Sequence, residues 1–538
     1  MNHKKQNGVY YTPKELADFV VNYVFENYCT NSRLDVLEPS CGDGAFIKAI
    51  MNTQELRTES QLNLTAIELD EKELNKIRRH VKRNPVHNMR VNFKNRDYLK
   101  FQKKNVENYD LVIGNPPYIS YKLLSEEQIS LSNEILLNAK IEPAIIKNIW
   151  IAFLVSAVLS LKDEGVVCLI LPSELLQVKH STPIRNFLFR NFKSIEIFTF
   201  NEIVFEGIEQ DTIIFLGSNK PGHQGFKYST VDNLSNLNVN LVNEISHTKD
   251  VVLNEKWTSL ILPEDSSEKL NVMKNRMAVI DDYCSSGAGV VTAANESFIV
   301  SNETLRKHHL ERYSLPIIKK SSFIKELINF SEQDYRLINQ SGVSTNLLLF
   351  SEKDIELHDE NVKSYLNKLI QKQVDQRHKC KQRTKWFIVP SVWVSEGFFF
   401  KRSHMYPKVI VNEAKVLVTD TAYRITMREN YNINSLTFSF YNSLTLVYAE
   451  LYGRFYGGGV LELTPNEFKK LPLPYIEVSK DELLVLDSMF RDGLKIEHIL
   501  EYTNSVILKS GFGFTDKEIS FLNDTRKLLI SRRLKAVT

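Results

Sequence analysis

The chain is poor in cysteine. Its five residues of this type (Cys29, Cys41, Cys168, Cys284 and Cys380) are scattered, odd in number and without a CxxC pair. That pattern excludes a disulfide framework and a structural zinc site, and it leads us to expect a reducing, cytoplasmic setting. Net charge is also scarce. At +3 over 538 residues the chain is no generic polycation, so any nucleic-acid surface must be a local basic patch offset by acid elsewhere. A membrane-length apolar run is missing. The most apolar segment, residues 149–161, falls short of the roughly 20 residues a span needs and reads as a buried helix. The first seven residues are polar and basic with no apolar stretch behind them, so no signal peptide is expected. The one early glycine loop lacks a following Lys-Ser or Lys-Thr and a third glycine. This excludes a phosphate loop and the dinucleotide fingerprint. No acid-acid-lysine cluster of nuclease type stands out.

A hydrophobic content of 43% and a charged content of 25% are ordinary for a globular protein, and the length favours roughly two to four domains. The stretch that organises the chain is Asn115-Pro116-Pro117-Tyr118. It follows the apolar run Leu111-Val112-Ile113, which reads as a buried parallel strand. Two prolines stop that strand from continuing as strand or helix. A stiff loop at the carboxyl end of a buried strand is where open α/β sheets place their chemistry. Asn115 and a carbonyl preceding proline offer acceptors to a planar amino group, and Tyr118 offers a flat face. An isolated Asn-Pro-Pro also reads as an ordinary strand exit, so its meaning depends on what lies upstream.

Upstream, Thr12-Pro13-Lys14-Glu15 has the form of a helix start with a capping box, leading into Leu16, Phe19, Val20, Tyr23 and Val24 at helical spacing. Leu34–Leu37 is a short strand. It runs into Glu38-Pro39-Ser40-Cys41-Gly42-Asp43-Gly44, an acidic glycine loop before a helix, as in the first unit of a nucleotide-type βαβ fold. Glu38 and Asp43 suit a ligand with a positive centre and no phosphate. A second strand ends in Ile67-Glu68-Leu69-Asp70, where an acid can hold ribose hydroxyls. A third ends at Asp97-Tyr98-Leu99, where Asp97 can accept from an adenine amino group and Tyr98 can pack on its ring. Each acid alone reads more readily as a solvated strand end. Four strand ends in order, each with a suitable group, do not.

Thr12-Pro13, the Glu38–Phe46 loop, Ile67–Asp70, Asp97–Leu99 and Gly114–Tyr118 resemble, in that order, the motifs of S-adenosylmethionine-dependent DNA adenine-N6 methyltransferases of the gamma class, as found in type II restriction-modification systems. The resemblance is detailed over residues 8–217 and looser beyond. It implies a Rossmann-like class I methyltransferase domain of α/β type, with a seven-stranded, mostly parallel sheet over residues 1–245. A mixed α+β target-recognition domain follows over residues 246–538. It implies that S-adenosyl-L-methionine is bound by Thr12, Glu38, Pro39, Cys41, Gly42, Glu68, Asp97, Tyr98 and Pro117, with no metal. It further implies that Asn115, Pro116 and Tyr118 act on an adenine flipped out of double-stranded DNA, and that Phe205 stacks on that base. As a core residue beside Ile203 and Val204, Phe205 has a plainer reading. A cognate restriction endonuclease acting on the same site, a monomeric state and no membrane association complete the expectation. A glutamine amide or an RNA base is an alternative acceptor for the same planar-nitrogen chemistry, and a DNA-binding specificity module is an alternative of another class.

Residues 218–250, polar and rich in Asn and Gly, read as a linker. Residues 285–295 (Ser-Ser-Gly-Ala-Gly onward) read as a small-residue loop or a turn cluster. In residues 372–408, Lys379, Lys381, Arg383, Lys385, Lys401 and Arg402 alternate with Trp386, Phe387, Trp393 and Phe398–Phe400. This is either a solvated face or a groove that meets phosphates. Arg454, in a glycine-rich stretch, is a further phosphate candidate.

Overall fold

The computed structural model describes residues 11–102, 108–200, 211–231, 242–247, 256–353, 359–456 and 459–534. These fall into two compact units. The first reaches Leu270, and the second comprises Asn271–Phe455 and Gly459–Leu534.

The first unit is built on one sheet. Its strands are β1 (Arg33–Glu38), β2 (Gln61–Glu68), β3 (Met89–Asn95), β4 (Tyr109–Gly114), β5 (Leu161–Pro172), β6 (Ser194–Phe200), β7 (Thr212–Ser218), β8 (Gly225–Val231) and β9 (Val242–His247). They lie in the order β3-β2-β1-β4-β5-β7-β6-β8-β9. β1 to β5 are parallel, and β7 enters antiparallel between β5 and β6. The sheet thus has nine strands rather than the expected seven. β8 pairs parallel with β6, and β9 antiparallel with β8. Both come from the stretch read as a linker. Phe226 and Tyr228, two apart and both buried, are a strand signal that the flanking Asn and Gly obscure. The unit also continues past residue 245. Trp257 packs on Phe226 with ring centroids 5.2 Å apart, and His247 meets the Leu260 carbonyl at 2.6 Å.

Order β2-β1-β4 makes the gap between β1 and β4 the topological switch point, since the chain leaves β1 on one side and returns on the other. That is where such sheets open a crevice at their carboxyl edge. The helices before and after β1, α1 (Lys14–Asn27) and α2 (Ala45–Glu55), and the helix after β2, α3 (Glu71–Arg83), turn Leu16, Val20, Val24, Ile47, Ile50, Leu74 and Ile77 into one core with Val36, Leu64 and Leu111. On the other face the helix Trp150–Leu159 is buried along nearly its whole length, as its composition led us to expect. Among the described residues no helix is long and apolar enough to cross a membrane.

The second unit contains a four-stranded antiparallel sheet of Cys284–Ala288, Ala422–Met427, Gly397–Phe400 and Val409–Val411, a second four-stranded sheet, and the helices Ile433–Phe440, Ser443–Tyr452, Lys480–Arg491, Ile496–Asn504 and Asp516–Arg533. The small residues at 285–288 are therefore strand, not loop. A close approach is met only at the adjoining Gly289, where a Cβ would lie 2.1 Å from the Thr419 carbonyl oxygen; a Cβ on Gly287 would meet nothing within 4 Å.

Candidate active site

The loops leaving β1 and β4 meet at the switch point. The Ser40 hydroxyl donates to the Asn115 carbonyl at 3.0 Å, and a Cβ on Gly114 would sit 3.4 Å from the Pro39 ring. From the amino-terminal side Thr12 arrives as well, its Oγ1 accepting from Asn115 Nδ2 at 3.3 Å. Three segments far apart in sequence therefore close on one asparagine. The capping box expected at Thr12 does not form. α1 starts one residue later, with Pro13 at the cap and no side-chain cap bond, and the Thr12 hydroxyl turns to the Asn115 amide.

The glycine loop is folded by its own backbone. Cys41 N–H donates to the Ile67 carbonyl at 2.9 Å and Gly44 N–H to the Cys41 carbonyl at 2.7 Å. Gly42 and Gly44 have φ of +51° and +78°, a region in which a side chain is strained. At Gly44 a Cβ would also lie 2.3 Å from Ile77 Cδ1. Glu68 clamps this loop: one carboxylate oxygen accepts from Gly42 N–H at 2.8 Å and the other from Asp70 N–H at 2.9 Å. Its expected part in holding a ribose must share those lone pairs. Cys41, expected among the cofactor residues, has its amide spent on β2 and its thiol buried at 4% exposure, so it shapes the loop from behind. Tyr11 lies over the loop, 3.7 Å from a Cβ position on Gly42. Sequence reasoning passed over it, although the aromatic beside Thr12-Pro13 was a visible signal.

Glu38 is the most constrained acid. It is 1% exposed, and its Oε2 is a buried acceptor with no protein donor. Burial, followed by the charges of Glu68 and Asp43, pushes its carboxyl well above the ordinary carboxylate range. A buried acceptor on an acidic floor suits a cationic ligand group, which supplies both a hydrogen bond and a counter-charge.

Asp97 is half-buried. Its Oδ1 caps the short helix Tyr98–Gln102 through Leu99 N–H at 2.8 Å. Tyr98 does not reach the crevice: it is 2% exposed and packs on Phe153 with ring centroids 5.1 Å apart. A helix begins where an extended strand end was expected, and this turns the ring into the core. In the loop after β4 Pro116 is buried, Pro117 half-buried, and Tyr118 is 8% exposed. The Tyr118 hydroxyl donates to the Ile170 carbonyl of β5 at 3.0 Å, which anchors the tip of its ring. Phe205 lies outside the described residues.

In the second unit most of the cations expected to meet phosphate are already engaged. Arg383 donates to the Val291 carbonyl at 2.9 Å and the Trp386 carbonyl at 3.2 Å. Lys401 and Arg402 share Glu462, at 3.4 and 2.8 Å. Arg454 pairs with Glu467 at 2.8 Å. Phe398, Phe399 and Phe400 are core residues, not groove lining. Lys379, Lys381 and Lys385 are exposed.

An open sheet with a glycine loop and an Asn-Pro-Pro-Tyr loop at its switch point defines a methyltransferase-type catalytic unit. Two family models match this chain: the Eco57I restriction-modification methylase over residues 39–205, and the C-terminal domain of type II methyltransferase M.Eco57I over residues 254–508. The chain belongs to this Eco57I-like family of type II restriction-modification methylases. It is 25% identical to type II methyltransferase M.AccI of Acinetobacter calcoaceticus over 491 residues, covering 87% of this chain and 86% of that one. It is also 25% identical to M.HincII of Haemophilus influenzae over 285 residues, spanning about half of each protein at 52% and 49%. Among solved structures, the type IIL restriction-modification enzyme MmeI in complex with DNA shares the fold at a TM-score of 0.58 and 11% identity, covering 96% of this chain and 75% of that one.

Proposed function

We propose that the protein transfers a methyl group from S-adenosyl-L-methionine to N6 of an adenine in duplex DNA, as the modification enzyme of a restriction-modification system. The observation that carries this reading is the meeting of the acidic glycine loop with Asn115 through Ser40 at 3.0 Å. It sets a site for a cationic cofactor beside a site for a planar amino group. Bound S-adenosyl-L-methionine supplies an electrophilic methyl on a sulfonium. Glu38 takes its amino end, the glycine loop its body, and Asp97 its adenine amino group.

On the acceptor side, the Thr12 contact with Nδ2 sets which way the Asn115 amide faces. The Asn115 oxygen and the Pro116 carbonyl accept hydrogen bonds from the base's amino group and aim the nitrogen lone pair. Tyr118, anchored by its hydroxyl, gives the base a flat face. The amino nitrogen forms the new N–C bond as the C–S bond breaks with its electron pair on sulfur, and the nitrogen then gives its extra proton to water. The work is positioning and preorganised electrostatics, with no strong base. Because the target is stacked inside a duplex, the adenine is flipped out, and Phe205 is the stacking partner we assign to it.

The unit up to Leu270 is then catalytic, and the unit from Asn271 recognises the target, in the cytoplasm and alongside an endonuclease of the same specificity. The match of residues 254–508 to a methyltransferase C-terminal domain favours DNA over a glutamine amide or an RNA base. Transfer of tritiated methyl from the cofactor to unmethylated duplex DNA tests the reading. We expect label in DNA, and a loss of about 100- to 1,000-fold in rate for Asn115→Ala with cofactor binding retained. Label in protein or RNA but not in DNA would sink it.

A further inference from the structure

A long run of charge of one sign lies outside the crevice. Between Leu74 and Arg96 there are eight lysines and arginines and no aspartate or glutamate. That local charge exceeds the +3 of the whole chain. The structure places it on α3 and on β3, the terminal strand of the nine-stranded sheet. Leu74 and Ile77 turn into the core, which leaves Lys72, Lys76, Arg79 and Arg83 as one exposed row at helical spacing and Arg78 and Lys82 as a second. The first row is about 16 Å long.

Two plain explanations cover only part of this. Cations in the last turn complement a helix dipole, and cations on an edge strand discourage strand addition. Neither accounts for Lys72, Arg78 or Arg79. Each (i, i+4) pair of like charges, such as Lys72–Lys76, Arg78–Lys82 and Arg79–Arg83, also destabilises the helix. Within the described residues Lys76 pairs with Glu73 at 2.6 Å, and Arg78 bonds Asn75 and lies 5.6 Å from the Phe93 ring. Arg79, Lys82, Arg83, Arg90, Lys94 and Arg96 form no ion pair there.

We infer that this face is a second DNA-backbone contact, separate from the target site, that takes the phosphates of duplex DNA without reading sequence. It rests on the methyltransferase reading. The row, in which Lys76 alone is paired among the described residues, matches about five nucleotide steps of one strand at 3.4 Å each. Its position argues for a role other than holding the target. α3 begins at the crevice edge, beside Glu68, and runs back along the sheet, so Arg79, Lys82 and Arg83 lie towards the edge opposite the catalytic loop. Phosphates bound there belong to DNA being searched or wrapped, and the contact raises affinity for any duplex.

The test uses the full chain and the variant R79Q/K82Q/R83Q. Binding to a fluorescent mixed-sequence 30-base-pair duplex is followed by anisotropy against salt concentration. The slope of log affinity on log salt should flatten by about 2.7, or 0.9 for each contact removed, with affinity at low salt falling about ten-fold. Methyl transfer to sheared DNA at saturating concentration should stay within about two-fold, and the thermal transition should be unchanged. An unchanged slope overturns the inference and leaves the face to an acidic protein partner. A loss of transfer at saturating DNA overturns it too, by making the face part of the target site. Absence of methyl transfer from the unaltered protein would instead remove the functional reading on which it rests.

Discussion

Glu38 carries the main electrostatic consequence at the scale of single residues. Its raised carboxyl pKa means that the folded, ligand-free protein holds a proton there that the unfolded chain releases near the ordinary carboxylate value. This contribution to stability is complete below the unfolded value and is lost as pH rises through the raised one. A cation against Oε2 favours the carboxylate instead, so cofactor binding expels the proton. As pH rises from the ordinary carboxylate range towards the raised value, the affinity for S-adenosyl-L-methionine should therefore rise. Calorimetry in buffers of different ionisation enthalpy should report proton release, and Glu38→Gln should abolish both effects. Affinity that falls with pH, or binding without proton release, would contradict the assignment. Residue types and spacing made Glu38, Glu68 and Asn115 legible in the sequence, because each ends a strand that an apolar run announces. Their partners were not legible. That Glu68 spends its oxygens on Gly42 and Asp70, or that Thr12 turns to Asn115, depends on loops meeting across 26 and 103 positions. Tyr98 shows the opposite failure. An aromatic next to a ligand-competent acid looked like a cofactor contact, but one turn of helix points it into the core.

Among the elements, long apolar runs were easy to read and polar ones were not. β4, β5 and the helix Trp150–Leu159 follow from hydrophobic pattern alone, since central elements are buried on both faces. β8 and β9 add strands at the far end of the sheet, where half-polar sequence bordered by Asn and Gly looks like a linker. In the second unit a charged network does work that composition cannot announce. Asp487, 3% exposed, accepts from Ile328 and Asn329 N–H at 2.7 and 2.9 Å and from Arg491 Nε at 2.6 Å. Arg491 in turn grips Asp334 at 2.9 Å, which helps hold that carboxyl below its usual range against the cost of burial. The helix Lys480–Arg491 is thereby pinned to the 328–334 segment. Asp487→Ala would orphan two buried amides and cut the arginine's link, costing about 3 kcal/mol. We expect a thermal transition lower by roughly 6–10 °C, measured by calorimetry. A shift within a degree would show that the helix is held by apolar contacts alone.

For the molecule as a whole, the two units divide the labour that the proposed function needs, and charge shows why the second is only partly legible in the sequence. The basic run of residues 372–408 reads either as a solvated face or as a groove for phosphates, and in the structure Arg383, Lys401 and Arg402 are engaged with backbone or Glu462. Linear charge density cannot tell a cation that stitches a domain together from one that waits for phosphate. The run on α3 and β3 is hard to single out in the sequence because it lies in the unit that carries the methyltransferase motifs, which explain their own residues. The identity of the modified atom is the claim on which the account stands. Its most direct measurement is nucleoside mass spectrometry of DNA from a methylase-deficient bacterial host expressing the protein, with Asn115→Ala as the control. The account predicts N6-methyladenine in the first culture and none in the second. Methylcytosine in place of methyladenine, or methyladenine undiminished by Asn115→Ala, would contradict it.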